Sequence, residues 1–76
     1  MKLLEQTLAH PTQASLVRLN VFALPEGHLV TEERIGTTTV VATLGLFDDR
    51  DAALARARSR AAELEAQRYR VLSPAA

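Results

Sequence analysis

The amino-acid sequence predicts an α+β fold, in which a single helix covers one face of an antiparallel sheet. Two segments, residues 15–24 and 38–47, alternate in a period of two, as strands with one buried face do. A third segment, which follows Asp48, places alanine and leucine at helical spacing. Because short turns separate the strands, we expect an antiparallel sheet of three to four strands with one helix packed on it.

The N-terminal segment is compatible with two structures. Leu3, Leu4 and Leu8 could lie on a helical turn or on an edge strand. The dipeptide His10-Pro11 ends either structure, because the residue before a proline favours extended geometry.

The strand predicted at residues 15–24 has two different faces. One face is uniformly apolar and consists of Val17, Leu19, Val21 and Ala23. The opposite face of the sheet is predicted to carry Leu16, Phe22, Leu24, Val30 and Val41. This is more apolar than a solvated face requires, so Phe22, Leu24 and Val41 are predicted to form an interaction surface for a protein partner or a second copy.

The sheet is predicted to continue as a meander. A turn is expected at residues 25–27, where proline fixes φ and Gly27 accepts a positive φ. Residues 28–35 and 38–47 are predicted to form the next two strands. In the last of them, one face is expected to carry Val40, Ala42, Leu44 and Leu46.

The helix is predicted to begin after Asp48 or Asp49, either of which can cap the free N–H groups of its first turn. It is expected to run to about Gln67, with a buried stripe of Ala53, Leu54, Ala57, Ala61 and Leu64. A short extended segment at residues 68–72 and a flexible tail at 73–76 complete a single domain of 76 residues.

Composition narrows the functional classes. The chain has nine basic and nine acidic residues and a net charge of zero, whereas dedicated nucleic-acid binders are usually basic. It has no cysteine, no apolar run as long as a membrane span and no secretory leader pattern. A cytoplasmic protein without a membrane partner is expected.

No group of residues has the arrangement of an active site. His10 and His28 have no cysteine or carboxylate at a metal-ligand spacing, and exposed loop histidines are the simpler interpretation. The cluster Asp48, Asp49 and Asp51 is explained by helix capping. The sequence therefore predicts a protein that is not an enzyme, with no cofactor, no metal and no small-molecule substrate.

The order of these elements resembles the WGR domain family, which occurs in eukaryotic poly(ADP-ribose) polymerases and in many small bacterial proteins. The matching segments, spread over residues 2–71, are Lys2-Leu3-Leu4-Glu5 at the opening, Arg34-Ile35-Gly36-Thr37 in the signature, Phe47 and Asp51-Ala52-Ala53 at the strand-to-helix junction, and Tyr69 at the close. The resemblance implies a small DNA-binding module with a sheet and one helix.

The chain also departs from the family pattern. Glu32 and Glu33 stand where the family has its tryptophan and glycine, Thr39 and Val40 stand where Gly-Gln often follows, and Arg68 replaces the glycine before the closing tyrosine. In the family the tryptophan and arginine of the signature are implicated in contacts to nucleic acid. Only the arginine carries over here, as Arg34, and two adjacent acids would repel a phosphate backbone.

Two functions follow from these observations. In the first, Arg34 contacts phosphate, with Arg18 as a strand neighbour and with Arg68 and Arg70 as helpers. The alternative role of Arg34 is a salt bridge to Glu32 or to another cross-strand acid. In the second, the chain has lost nucleic-acid binding and serves as a protein-interaction or regulatory module that binds a protein partner or a second copy through its exposed sheet face.

Overall fold

The computed structural model of this protein describes residues 1–72. In chain order the elements are β1 (Lys2–Ala9), β2 (Leu16–Leu24), β3 (Gly27–Ile35), β4 (Thr39–Phe47), α1 (Arg50–Ala66) and β5 (Arg70–Val71). The strands form one antiparallel sheet in the order β4-β3-β2-β1-β5, and α1 packs on one face of it. The predicted α+β class is confirmed, whereas the tail predicted at residues 73–76 lies outside the described residues.

The sheet has five strands, where three to four were predicted. The N-terminal segment is a strand of eight residues rather than a helical turn, and it pairs with β2 along most of its length. The short segment after the helix adds β5, whose two residues pair with Leu8 and Ala9. A strand of two residues has no pattern of its own, so it forms only because β1 offers an unpaired edge.

The core lies between the sheet and the helix. Its apolar members are Leu8, Val17, Leu19, Val21, Val30, Ala53, Ala57, Ala61, Leu64 and Tyr69. The apolar face predicted for β2 is confirmed, since Val17, Leu19 and Val21 are all buried. The prediction that Val30 lies on the opposite face is wrong. Val30 pairs directly with Val21, and because paired residues point to the same side of a sheet, it faces the helix and packs with Ala53.

A β-bulge in β4 changes which side chains face the helix. Val30 pairs with Gly45 while Thr31 pairs with Thr43, so Leu44 is an extra residue without a partner on β3. Beyond the bulge the alternation reverses: Phe47 packs into the core, and Leu46 lies on the open face, 55% exposed. The prediction that Leu46 shares a face with Leu44 is therefore wrong.

The helix forms as its sequence predicts. Asp49 is the N-cap, and its carboxylate accepts a hydrogen bond from the backbone N–H of Asp51 at 3.3 Å. The buried positions Ala53, Ala57, Ala61 and Leu64 are all in the predicted stripe. Because the stripe is mainly alanine, the helix lies close to the strands but covers a narrow part of the sheet.

The helix ends with a residue in the left-handed conformation. Arg68 has a φ of 77°. Its N–H donates to the carbonyl of Glu65 at 3.0 Å, and the N–H of Tyr69 donates to the carbonyl of Leu64 at 3.0 Å. Glycine is the usual residue at such a helix end, because it has no Cβ to clash with the carbonyl. This is the position at which the WGR pattern has glycine before the closing tyrosine.

The conformation of Arg68 leads to a stability prediction. We expect Arg68→Gly to increase the free energy of unfolding by about 1 kcal/mol, because a side chain in the left-handed region costs about that amount. Arg58→Gly is the matched control, since glycine inside the helix should lower stability by about 1 kcal/mol. Urea unfolding of both variants would check this, and a less stable Arg68→Gly protein would contradict it.

Candidate interaction surfaces

The helix face of β3 carries a buried acid that is held by the helix. Glu32 is only 6% exposed, and Arg60 donates to its carboxylate from Nε at 2.6 Å and from Nη2 at 3.4 Å. Arg60 also donates from Nη1 to Glu63 Oε1 at 2.9 Å. The hydrogen bonds that Arg60 donates, chiefly to Glu32 and secondly to Glu63, raise its pKa above the usual range of an arginine. A buried carboxylate requires such a partner, so this pair fixes the helix against β3.

Arg34 lies beside this pair on the same face. Its Nε is 3.4 Å from Glu32 Oε2, and its Nη1 donates to the hydroxyl of Tyr69 at 3.4 Å. The Tyr69 hydroxyl in turn donates to Gln13 Oε1 at 3.0 Å. The alternative interpretation of Arg34, a salt bridge to Glu32, is thus present in the structure. The arginine side chain nevertheless remains 44% exposed, so part of the guanidinium is accessible from solvent.

Arg68 and Arg70 flank Tyr69 at the same end of the molecule. They line a cleft of about 670 Å³ together with Ala9, His10, Pro11, Glu65, Tyr69 and Leu72. The ring of His10 meets the ring of Tyr69 edge to face, with centroids 5.1 Å apart. Arg34 reaches the Tyr69 hydroxyl but does not line this cleft, and Arg70, which pairs with Ala9, points to the open face of the sheet. Tyr69 itself is too buried to stack on a base.

Arg18 does not belong to this group. It pairs with Glu33 in the sheet, while Arg34 pairs with Val17, so the two arginines point to opposite faces. On the open face Arg18 Nη1 lies 3.9 Å from Glu33 Oε1, and the same oxygen accepts a hydrogen bond from Asn20 Nδ2 at 2.7 Å. The structure thus separates Arg18 from the surface around Arg34.

The apolar surface predicted on the open face is divided. Phe22 pairs with Leu29, and Leu29 pairs with Leu46, which gives a row across three strands with Leu24 at the hairpin end. Val41 pairs with Glu33 and lies two rows away. Between them is the polar row of Asn20, Thr31 and Thr43. The sequence did not reveal Leu46 in this row, because only the bulge at Leu44 moves it to the open face.

The most exposed apolar segment is the first half of β4. Val40 and Val41 are each 60% exposed, although they point to opposite faces of the sheet. β4 is an edge strand, and no residue from 36 to 47 carries a charge. The helix contacts β4 through Leu44 and Phe47, near the end of the strand, and leaves Val40 and Ala42 uncovered.

Comparison of the chain with protein-family models, with curated proteins and with solved structures finds no match. The similarity to WGR domains accordingly stays a prediction from the residues quoted above. Within residues 1–72, no three histidine, aspartate or glutamate side chains lie close enough to hold a metal ion. In the same range, the helix is too short and too polar to cross a membrane.

The pair of Glu32 and Arg60 can be tested by mutation. We expect Glu32→Ala to lower the free energy of unfolding by about 2 kcal/mol, because it leaves a largely buried guanidinium with only its exposed partner Glu63. Glu63→Ala removes an exposed partner of the same arginine and should cost no more than about 1 kcal/mol. Equal losses in the two variants, measured by thermal unfolding, would contradict this account.

Proposed function

We propose that this chain is a non-catalytic protein-interaction module that works as a homodimer. The observation that supports this most directly is the exposed, uncharged β4, with Val40 and Val41 each 60% exposed on a 76-residue chain. Large exposed apolar side chains that adjoin one another commonly mark a protein contact. Since the two valines point to opposite faces, a partner added at this edge would cover both.

The small size of the chain supports self-association. A domain of this length buries only about 60% of the surface of its unfolded chain, so its own core gives limited stability. It has no cysteine, and disulfides cannot compensate. Association with a second copy would bury the apolar side chains that the single helix leaves exposed.

The second candidate is a WGR-like module that binds DNA through Arg34. The specific observation in its favour is that Arg34 contacts Tyr69, the residue that matches the closing tyrosine of that family, and that Arg68 lies next to the same tyrosine in the cleft. The left-handed Arg68 gives further support, because it adopts the conformation that the family's glycine would favour. Phosphate contacts from exposed guanidinium groups would provide most of the affinity.

Three features weaken the DNA-binding candidate. Arg34 is already engaged by Glu32 and Tyr69, and the net charge of the chain is zero. The C-terminal end of the helix, which has the negative end of the helix dipole, lies next to Arg68. Arg68 and Arg70 could therefore serve to balance that end of the helix, and for this reason we place self-association first.

The homodimer can be tested by light scattering coupled to size exclusion, over a series of protein concentrations. We expect a mass of twice 8.3 kDa, which falls toward 8.3 kDa on dilution. High salt should leave the dimer intact, because an apolar contact is not screened. A mass of 8.3 kDa at every concentration would refute the proposal.

DNA binding can be tested by fluorescence anisotropy of a labelled duplex at low and moderate salt. If the second candidate is correct, the wild type binds with an affinity that falls steeply with salt, and Arg34→Ala weakens binding about tenfold. Arg58→Ala is the matched control, since Arg58 is an exposed arginine on the helix and, unlike Arg34, forms no hydrogen bond with Tyr69. If the wild type does not bind at low salt, this candidate is rejected.

A further inference from the structure

We propose that a second copy of this chain docks on the free edge of β4 by antiparallel strand pairing, about a two-fold axis that passes through Val41. This inference rests on the proposed homodimer and specifies its interface. The two five-stranded sheets would join into one continuous sheet of ten strands. Backbone hydrogen bonds would hold the strands together, and the valines would pack across the junction.

β4 has the properties of an edge strand that can pair. It is nine residues long, it contains no proline, and it has no charged side chain that would prevent the approach of another strand. The opposite edge of the sheet is different. There β5 has only two residues, and β1 has a register irregularity between Lys2 and Leu4 and a salt bridge of Lys2 with Glu5. Within residues 1–72, the β4 edge is therefore the one suited to pairing.

The absence of charge identifies a second copy as the occupant. About a two-fold axis the residue on the axis lies opposite its own symmetry mate, and residues at equal distances on its two sides lie opposite each other, so like charges along the strand would face one another. Residues 36–47 carry no charge, and the pairing with Val41 opposite Val41 is self-complementary. It also places Val40 opposite Ala42 and Thr39 opposite Thr43, so apolar residues meet apolar residues and threonine meets threonine.

The bulge at Leu44 selects this register. Residues 39–43 pair regularly with residues 31–35 of β3, and the extra residue disrupts the strand directly afterwards. A two-fold axis at Val41 uses these five regular residues and no others. An axis nearer the end of β4 would bring Leu44 into the paired segment, where the distorted backbone disfavours hydrogen bonds.

This geometry closes the assembly at two copies. The interface is the same strand on both subunits, so dimerisation consumes the β4 edge of each. The edges that remain are the short and irregular β1 and β5.

The apolar row of Phe22, Leu29 and Leu46 on the open face is a weaker candidate for the dimer interface. The Lys2 ammonium lies over the Phe22 ring, 5.5 Å from its centroid, and reduces the free apolar surface there.

Single-cysteine variants test the register directly, since the natural chain contains no cysteine. Residues paired across antiparallel strands have Cα atoms about 4.5–5.5 Å apart, which is within the range that a disulfide spans. Val41→Cys should therefore form a covalent dimer under mild oxidation. Thr39→Cys should not, because the two copies of residue 39 would be roughly 13 Å apart along the strands. Equal cross-linking of the two variants would overturn the proposal.

A charge on the axis gives an independent test. Val41→Lys should weaken dimerisation at least about tenfold, because it places two like charges opposite each other. Leu24→Lys, at an exposed leucine on the β2–β3 hairpin, should leave the dimer unchanged. Circular dichroism and thermal unfolding of both variants would establish that each is folded. If Val41→Lys is folded and remains as dimeric as the wild type, the edge pairing is wrong.

The results also distinguish this inference from the proposed function. A wild type that is monomeric at all concentrations would refute both. A dimer that withstands Val41→Lys but dissociates on Phe22→Asp would show that the copies meet through the open face. In that case the chain remains a homodimeric module and only the pairing at β4 is rejected.

Discussion

The structure depends on the mismatch between one helix and the sheet that it must cover. The helix has 17 residues and a buried stripe that is mainly alanine, so it packs closely but covers a narrow band. That band lies over the centre of the sheet and reaches β4 only at Leu44 and Phe47. The first half of β4 therefore stays exposed on both of its faces. A helix with larger side chains or a second helix would cover Val40, which is now 60% exposed.

The same narrow coverage explains the charges near the helix. Glu32 lies where the flank of the helix meets β3, and Arg60 reaches over it from the helix while Arg34 reaches it from its own strand. Glu33 points to the opposite face, where it accepts a hydrogen bond from Asn20 and forms an ion pair with Arg18. The two adjacent acids thus do not act together on one surface. Of the two acids, Glu32 is the one that forms an ion pair with Arg34.

Local patterns in the sequence predicted most of the fold. The alternation of β2, the alanine stripe and the Asp49 cap each depend on neighbouring residues, and all three are present. The bulge at Leu44 was missed, and the extended segment predicted at residues 68–72 was not placed in the sheet beside β1, because both features arise from pairing between distant segments. The bulge and the register of β2 with β3 also explain the errors at the sites. Without the bulge Leu46 could not be placed, and without the β2–β3 register Arg18 and Arg34 could not be assigned to opposite faces.

The central claim, that β4 is covered by a second copy, is tested most directly by amide hydrogen exchange measured residue by residue. In an isolated chain, the amides of residues 39–43 that do not face β3 have no partner in the sheet and should exchange rapidly. We predict that these amides exchange slowly at high protein concentration and lose their protection on dilution, while the amides that face β3 change much less. Rapid exchange of the outward amides at every concentration would contradict the account.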